Sequence, residues 1–277
     1  MSGQDVEPAI ARLVRDSARS HEPDRYLAAL LAPRAVRDDL IALAAFVSEL
    51  ARIPDLVRDP MAGEIRIQWW RDAIHGGVKG ERTGQPVADA WSAAVARHQL
   101  PLAAIDDFLD AHTHRLYAAP PADDSALQLE LSLIDGTPFA LAAQIMGVAE
   151  TEATRLLIDR AAQAYGLARL GLRLPHHLAR GRTPVPAAWV TNDGGSEDWR
   201  AVLSHAARDA RSQLQVVSGQ FYTQSAGLRT ALLPLALVEP YLKALHDPAR
   251  DAARDIADVF PLTRVWRIGR AHWMGRL

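Results

Sequence analysis

The sequence predicts an all-α protein, and three observations carry that prediction. Apolar residues recur at helical spacing along nearly the whole chain. Ala and Leu, both strong helix formers, dominate those positions. Alternating runs of β-branched residues, the mark of a strand, are nearly absent.

The elements follow from the amino terminus. A short pattern over Tyr26–Leu31 is broken by Pro33. Asp38 and Asp39 then read as a turn leading into a helix from Leu40 to Leu50, which Pro54 ends or kinks. A third helix runs from about Gly63 through Trp69-Trp70 to Ile74, with Gly76-Gly77 as its stop. Helices follow near Val87–His98 and, with Pro101 at a first turn, on to Tyr117. Residues 119–124 read as a loop. Two long apolar segments come next, Ser125–Val148 and Thr151–Leu174, with Gly147 suited to cap the first and Thr151 to start the second. Residues 180–186 read as extended loop, and 192–195 as a turn. The remainder reads as three helices, Asp198–Ser218, Leu228–Leu245 and Val259–Trp273.

No internal repeat appears, and no linker is long enough to separate two domains. The expected organisation is an N-terminal segment, 1–22, able to form a helix, followed by a single helical domain over 23–277. The chain has 277 residues, 49% hydrophobic and 23% charged, ordinary for a folded domain. A net charge of -2 without a basic stripe argues against nucleic acid as a partner. The absence of cysteine excludes disulfides, thiolate metal sites and a cysteine nucleophile, and fits a reducing cytoplasm. Asp5, Glu7 and Asp16 among the first residues argue against a signal or transit peptide. No stretch approaches the ~18 apolar residues of a membrane span. The expected location is therefore cytoplasmic, with peripheral contact at an inner membrane left open. No P-loop, dinucleotide fingerprint or nucleophile elbow occurs.

Three stretches, in order, carry a family resemblance. The first is Leu43-Ala44-Ala45-Phe46 followed by residues 61–71, MAGEIRIQWWR. The second is residues 133–139, LIDGTPF, with Ile145-Met146-Gly147. The third is the long helix that ends in residues 180–186, RGRTPVP. Together they resemble the squalene/phytoene synthases over roughly Tyr26–Trp189. The resemblance implies a single-domain, isoprenoid-synthase-type helical array around a central cavity. It implies two facing helices, Leu40–Ile53 and Thr151–Leu174, each carrying a DxxxD motif. Carboxylates four residues apart share a helix face, and two such faces hold the magnesium that binds a prenyl diphosphate.

Laid on those motifs, this sequence has Ala51 and Asp55 at the first and Arg173 and His177 at the second. Three of the four metal-binding acids are missing, and Leu131 stands where active enzymes carry a tyrosine. Sliding the register finds only Asp55 and Asp59, between Pro54 and Pro60. Residues 49–55 and 172–177 are similar to a divergent branch that includes the mitochondrial complex I assembly factor, whose aspartate motifs are also degraded. That resemblance implies a non-catalytic binding or assembly role with a protein partner in respiratory complex assembly, and no cofactor. The alternative is a transferase that still uses an isoprenoid diphosphate, farnesyl or geranylgeranyl, and with it Mg²⁺.

The basic cluster Arg169, Arg173, His176, Arg180 and Arg182 forms the candidate anion or ligand site, with an isoprenoid or lipid as ligand, because guanidinium forks bind phosphate without metal. Against it stands a solvated face, or salt bridges to Glu49, Asp55 or Asp135. Arg173 is expected beside Asp55 or Glu49 if the pair replaces the ion. Residues 106–110 spell DDxxD, but they lie where the family has no metal site, so an exposed acidic face is expected. Asp110 and His114 are expected as a surface pair. Of Trp69 and Trp70, one ring is expected inside. Trp266 and Trp273 share a face of a basic C-terminal helix, suited either to a membrane surface or to packing on the domain.

Overall fold

Helix start signals are plentiful in this chain, and the computed structural model, which describes residues 3–117, 119–190, 192–193 and 196–277, uses most of them. Its helices are α1 (Gly3–His21), α2 (Pro23–Leu30), α3 (Arg34–Leu56), α4 (Pro60–Val78), α5 (Pro86–His98), α6 (Leu102–His114), α7 (Asp124–Leu131), α8 (Thr137–Ile145), α9 (Glu152–Leu178), α10 (Trp199–Phe221), α11 (Ala226–Ala231), α12 (Val238–Leu245) and α13 (Pro261–Met274). Proline stands in the first turn of α2, α4, α5 and α13, where its missing N–H costs nothing. Thr151 caps α9 by accepting from the Thr154 N–H at 3.1 Å. Gly147, at φ +73°, ends the α8 segment. Strand content among the described residues is one antiparallel pair, Asn192–Asp193 with Ser196–Glu197. The fold class is all-α, as the apolar periodicity requires.

Three boundaries differ from the sequence reading, each for a physical reason. Asp38 and Asp39 lie inside α3, not in a turn. Asp39 is buried because Arg97 and His98 of α5 meet its carboxylate, the His98 Nε2 at 2.8 Å. Gly76-Gly77 does not stop α4, which runs on to Val78. A Cβ on Gly77 would come within 2.4 Å of the Ser92 Cβ, so glycine here lets α4 and α5 approach. The span 228–245 is not one helix but α11, a 3₁₀ segment (Leu233–Leu237) with Pro234 in its first turn, and α12.

The chain divides into two units. One comprises residues 1–117, 140–149 and 226–231; the other comprises 118–139, 150–225 and 232–277. In the first unit α3 is buried on every side from Asp39 to Ser48, the pattern of a central helix. Its Phe46 stacks on Trp91 at 5.2 Å, meets Trp70 edge-on at 5.5 Å and lies 5.8 Å from Phe108. Trp70 is therefore the inward ring of its pair, while Trp69 is 41% exposed. In the second unit α9 packs on α10 and α12. A Cβ on Gly171 would fall 2.5 Å from Leu245 Cδ1, so the α9–α12 approach also depends on a glycine.

In the first turn of α5, Asp89 accepts from the Thr83 N–H and hydroxyl, both at 2.8 Å, and from the Gly84 N–H at 3.1 Å. Burial alone would raise its pKa. The bonds from Thr83 and Gly84, with Arg82 nearby, outweigh burial and hold the carboxyl below its ordinary 3.8. Because the folded pKa is depressed, this stabilisation is complete above the unfolded value and is lost as pH falls through the folded one. The stability gap between the wild type and Asp89→Ala should stay constant from neutral pH down to about pH 4 and close below it. Urea unfolding across that range measures the gap; one unchanged at lower pH counts against the carboxylate.

Candidate functional site

Residues 133–139, singled out in the sequence, are where a helix changes its winding. After α7 the chain makes a π-helical turn over Ser132–Gly136 and then resumes as α8. Pro138 has no N–H for the Ile134 carbonyl and its ring crowds that oxygen, so a widened turn takes the place of regular α geometry. The turn buries Asp135, whose carboxylate lies 3.7 Å from Arg169 Nη1 on α9. The two side chains are only 15% and 7% accessible, Arg169 and Asp135 respectively. The Arg169 guanidinium also lies over the Tyr165 ring, 5.2 Å from its centroid, and Tyr165 meets Phe139 edge-on at 5.5 Å.

Glycines make this approach feasible. A Cβ on Gly166 would sit 2.8 Å from Asp135 Oδ2 and from Leu131 Cδ2, and one on Gly136 would sit 3.1 Å from the Ala162 Cβ. The sequence named Asp135 as one acid able to hold this arginine cluster, and the structure pairs it with Arg169. The π turn itself escaped the sequence reading. Its only advance signal was Pro138 inside an otherwise continuous helical pattern.

One turn further along α9, Arg173 is half-buried on the same side as Arg169. The helix passes through Pro175 to Leu178, so His176 and His177 are consecutive residues of its last turn, the first exposed and the second half-buried. Successive side chains diverge by about 100° around a helix, which parts these two imidazoles. Gly181, at φ +66°, turns the chain so that the Arg182 N–H bonds the His177 carbonyl at 3.0 Å. Arg180 is exposed and Arg182 half-buried.

The other degraded motif lies in the last turns of α3, where Ala51 is half-buried and Asp55 exposed. Glu49, one turn and a half before Asp55, accepts from the Ser17 hydroxyl at 2.9 Å and lies 3.8 Å from Arg52. Asp59 accepts from the Met61 N–H at 3.0 Å and so caps α4. The residues at the four motif positions do not fit magnesium. A methyl, a guanidinium and an imidazole stand where hard oxygen ligands are needed, and a single exposed carboxylate remains.

The DDxxD stretch in α6 ties that helix to α4. Asp106 lies 3.1 Å from His75 Nε2 and 3.4 Å from Arg71 Nη1, and Arg71 also binds Asp110. Asp107, Asp110 and His114 are exposed, whereas His112 is buried edge-on against Phe108, with ring centroids 4.7 Å apart. Among the described residues no group of three His, Asp or Glu side chains is placed to hold a metal ion.

Over residues 18–270 the chain matches the family described as squalene/phytoene synthase. It is similar to the NADH dehydrogenase (ubiquinone) complex I, assembly factor 6, of Bos taurus: 26% identical over 238 residues, which are 82% of this chain and 71% of the bovine protein. The Mus musculus protein of that name is 24% identical over the same shares, 82% and 71%. Among solved structures, squalene synthase HpnC from Alicyclobacillus acidocaldarius gives a TM-score of 0.71 at 18% identity, covering 86% of this chain and 93% of that one. A dehydrosqualene synthase solved with a ligand gives 0.74 at 14% identity, covering 96% and 98%. At such identity the likeness shows a common helical fold.

Proposed function

The chain belongs to the squalene/phytoene synthase family, and we propose that it acts without prenyl-transfer chemistry, as a binding or assembly protein whose partner is respiratory complex I. One observation carries the reading. Where the family resemblance calls for two DxxxD motifs, this chain has Ala51, Arg173 and His177 at three of the four positions. A diphosphate leaving group carries negative charge that two or more metal ions ordinarily offset, and a lone Asp55 cannot assemble them. The named relatives, complex I assembly factors of mammals at 24–26% identity, support the choice of partner.

The arginines of α9 and of the loop after it support a binding role more than a catalytic one. Arg169 is committed to Asp135 and stacked on Tyr165, which fixes its position as part of the fold. Arg173, Arg180 and Arg182 lie beyond it with partial or full access to water, as an anionic ligand or an acidic partner surface would require.

Two measurements test the proposal. Incubation with farnesyl and geranylgeranyl diphosphate, with and without Mg²⁺, should yield no squalene, phytoene or related product. Deleting the gene should lower complex I activity in its host. Product that forms with Mg²⁺ and disappears in Asp55→Ala would establish the transferase reading instead.

A further inference from the structure

α13 presents its apolar face to water. Ile268 and Ala271 are buried and Arg264 nearly so, together forming the stripe that packs on the fold. At 100° per residue, Leu262, Trp266 and Trp273 fall on the side opposite that stripe, with Val265 at its edge. Leu262 is 71% exposed, Trp266 59% and Trp273 84%. An outward helix face is ordinarily polar, so large apolar side chains gathered there mark a surface that meets something. Phe260, just before the helix, is exposed as well.

The charge around this face identifies the occupant. Residues 261–277 contain Arg264, Arg267, Arg270, Arg276 and His272 and no acid, although the chain as a whole carries a charge of -2. Arg264 is bound to Asp258 and lies 2.8 Å from the Tyr241 hydroxyl, which ties the helix to its own unit. Arg267 and Arg270 instead flank the outward ring, their guanidinium carbons 5.6 Å and 5.3 Å from the Trp266 centroid. Indole rings flanked by arginine heads suit the boundary of an anionic bilayer: the rings enter the headgroup layer while the guanidiniums meet lipid phosphate. Among the described residues no helix is long and apolar enough to cross a membrane, which leaves a helix lying on the surface.

We propose that α13 docks this protein on an anionic lipid surface, with Leu262, Trp266 and Trp273 inserted at the headgroup boundary and Arg267 and Arg270 paired with lipid phosphates. The inference does not rest on the assembly role. A transferase and a binding protein would use the same face.

Sedimentation of the full chain with phosphatidylglycerol-rich vesicles, against pure phosphatidylcholine vesicles, tests it. The wild type should bind the anionic vesicles, and added salt should weaken the binding. Trp266→Ser with Trp273→Ser should reduce partitioning by at least roughly tenfold, since each indole removes ~150–250 Å² of apolar surface from water. Arg267→Gln with Arg270→Gln should reduce it about thirtyfold on anionic vesicles, at roughly 1 kcal/mol per arginine. Both tryptophans are exposed, so the thermal midpoint of their double variant should match the wild type, and the loss then cannot be attributed to unfolding. Three outcomes overturn the proposal: no binding of wild type to anionic vesicles, equal binding by the tryptophan variant, or a wild-type dimer that the tryptophan substitutions dissolve. The last would assign the face to a second copy of the chain.

Discussion

Asp135→Ala should lower the stability of the protein by about 3–5 kcal/mol, the range expected when one member of a buried ion pair is removed and the other stays. The Arg169 guanidinium is held by the fold on the Tyr165 ring, so it cannot swing into water when its carboxylate partner disappears. In a chain of this size such a loss corresponds to a fall of about 6–20 °C in the unfolding midpoint. Removing the charge as well, in Asp135→Ala with Arg169→Met, should recover much of the loss, because an apolar side chain there leaves no buried charge. Thermal and urea unfolding of the two single variants and the double variant measures the coupling. A single-variant loss below about 1 kcal/mol is the value for an exposed pair, and would mean that water reaches this turn.

Phe46→Ala should cost about as much, roughly 3–5 kcal/mol, by opening a cavity among rings from three neighbouring helices. Phe46 is wholly buried and touches Trp70, Trp91 and Phe108, so deleting its ring takes contacts from α4, α5 and α6 together. Helices cannot easily close on the gap while Trp91 is fully buried beside it. Phe46→Leu should cost much less because it keeps most of the volume. Near-ultraviolet dichroism of the tryptophans, followed through denaturant unfolding, reports both effects. An alanine variant as stable as the leucine variant would show that the cluster collapses freely.

The local grammar of this chain was readable in advance where one residue decides the outcome. Thr151 before an apolar run has a single sensible use, and α9 begins with it. Pro101, expected in a first turn, stands at the N-cap of α6, and the prolines that open α4 and α5 fall ahead of the apolar residues taken as their starts. Gly76-Gly77 reads as a stop in the sequence because glycine serves both as a cap and as a point of close approach. Only Ser92, fifteen residues beyond Gly77, tells which use applies. Asp39 looked like a turn residue because its partners, Arg97 and His98, lie nearly sixty positions away. At the site, the identities of Ala51, Arg173 and His177 are read directly from the sequence, while their placement on the two motifs comes from the family resemblance. The buried Asp135–Arg169 pair was legible only as one of several possible partnerships. The helix face of Trp266 and Trp273 could be foreseen, and its direction could not, because amphipathic spacing does not say which stripe packs inward.

The interleaving of the two units bears on how this protein is made. The first unit takes its last element, α11, from residues 226–231, where Leu228 and Ala231 are buried and a Cβ on Gly227 would fall 3.1 Å from the Met146 carbonyl oxygen. A ribosome that has released the first 117 residues has therefore delivered an incomplete core. At ~5–20 residues per second, several seconds pass before α11 emerges to finish it. Throughout that interval α2, which α11 packs against, lacks that native neighbour. The nascent chain thus spends part of every synthesis cycle dependent on whatever shields exposed apolar surface in the cell. No single cut in the gene would separate two self-sufficient halves.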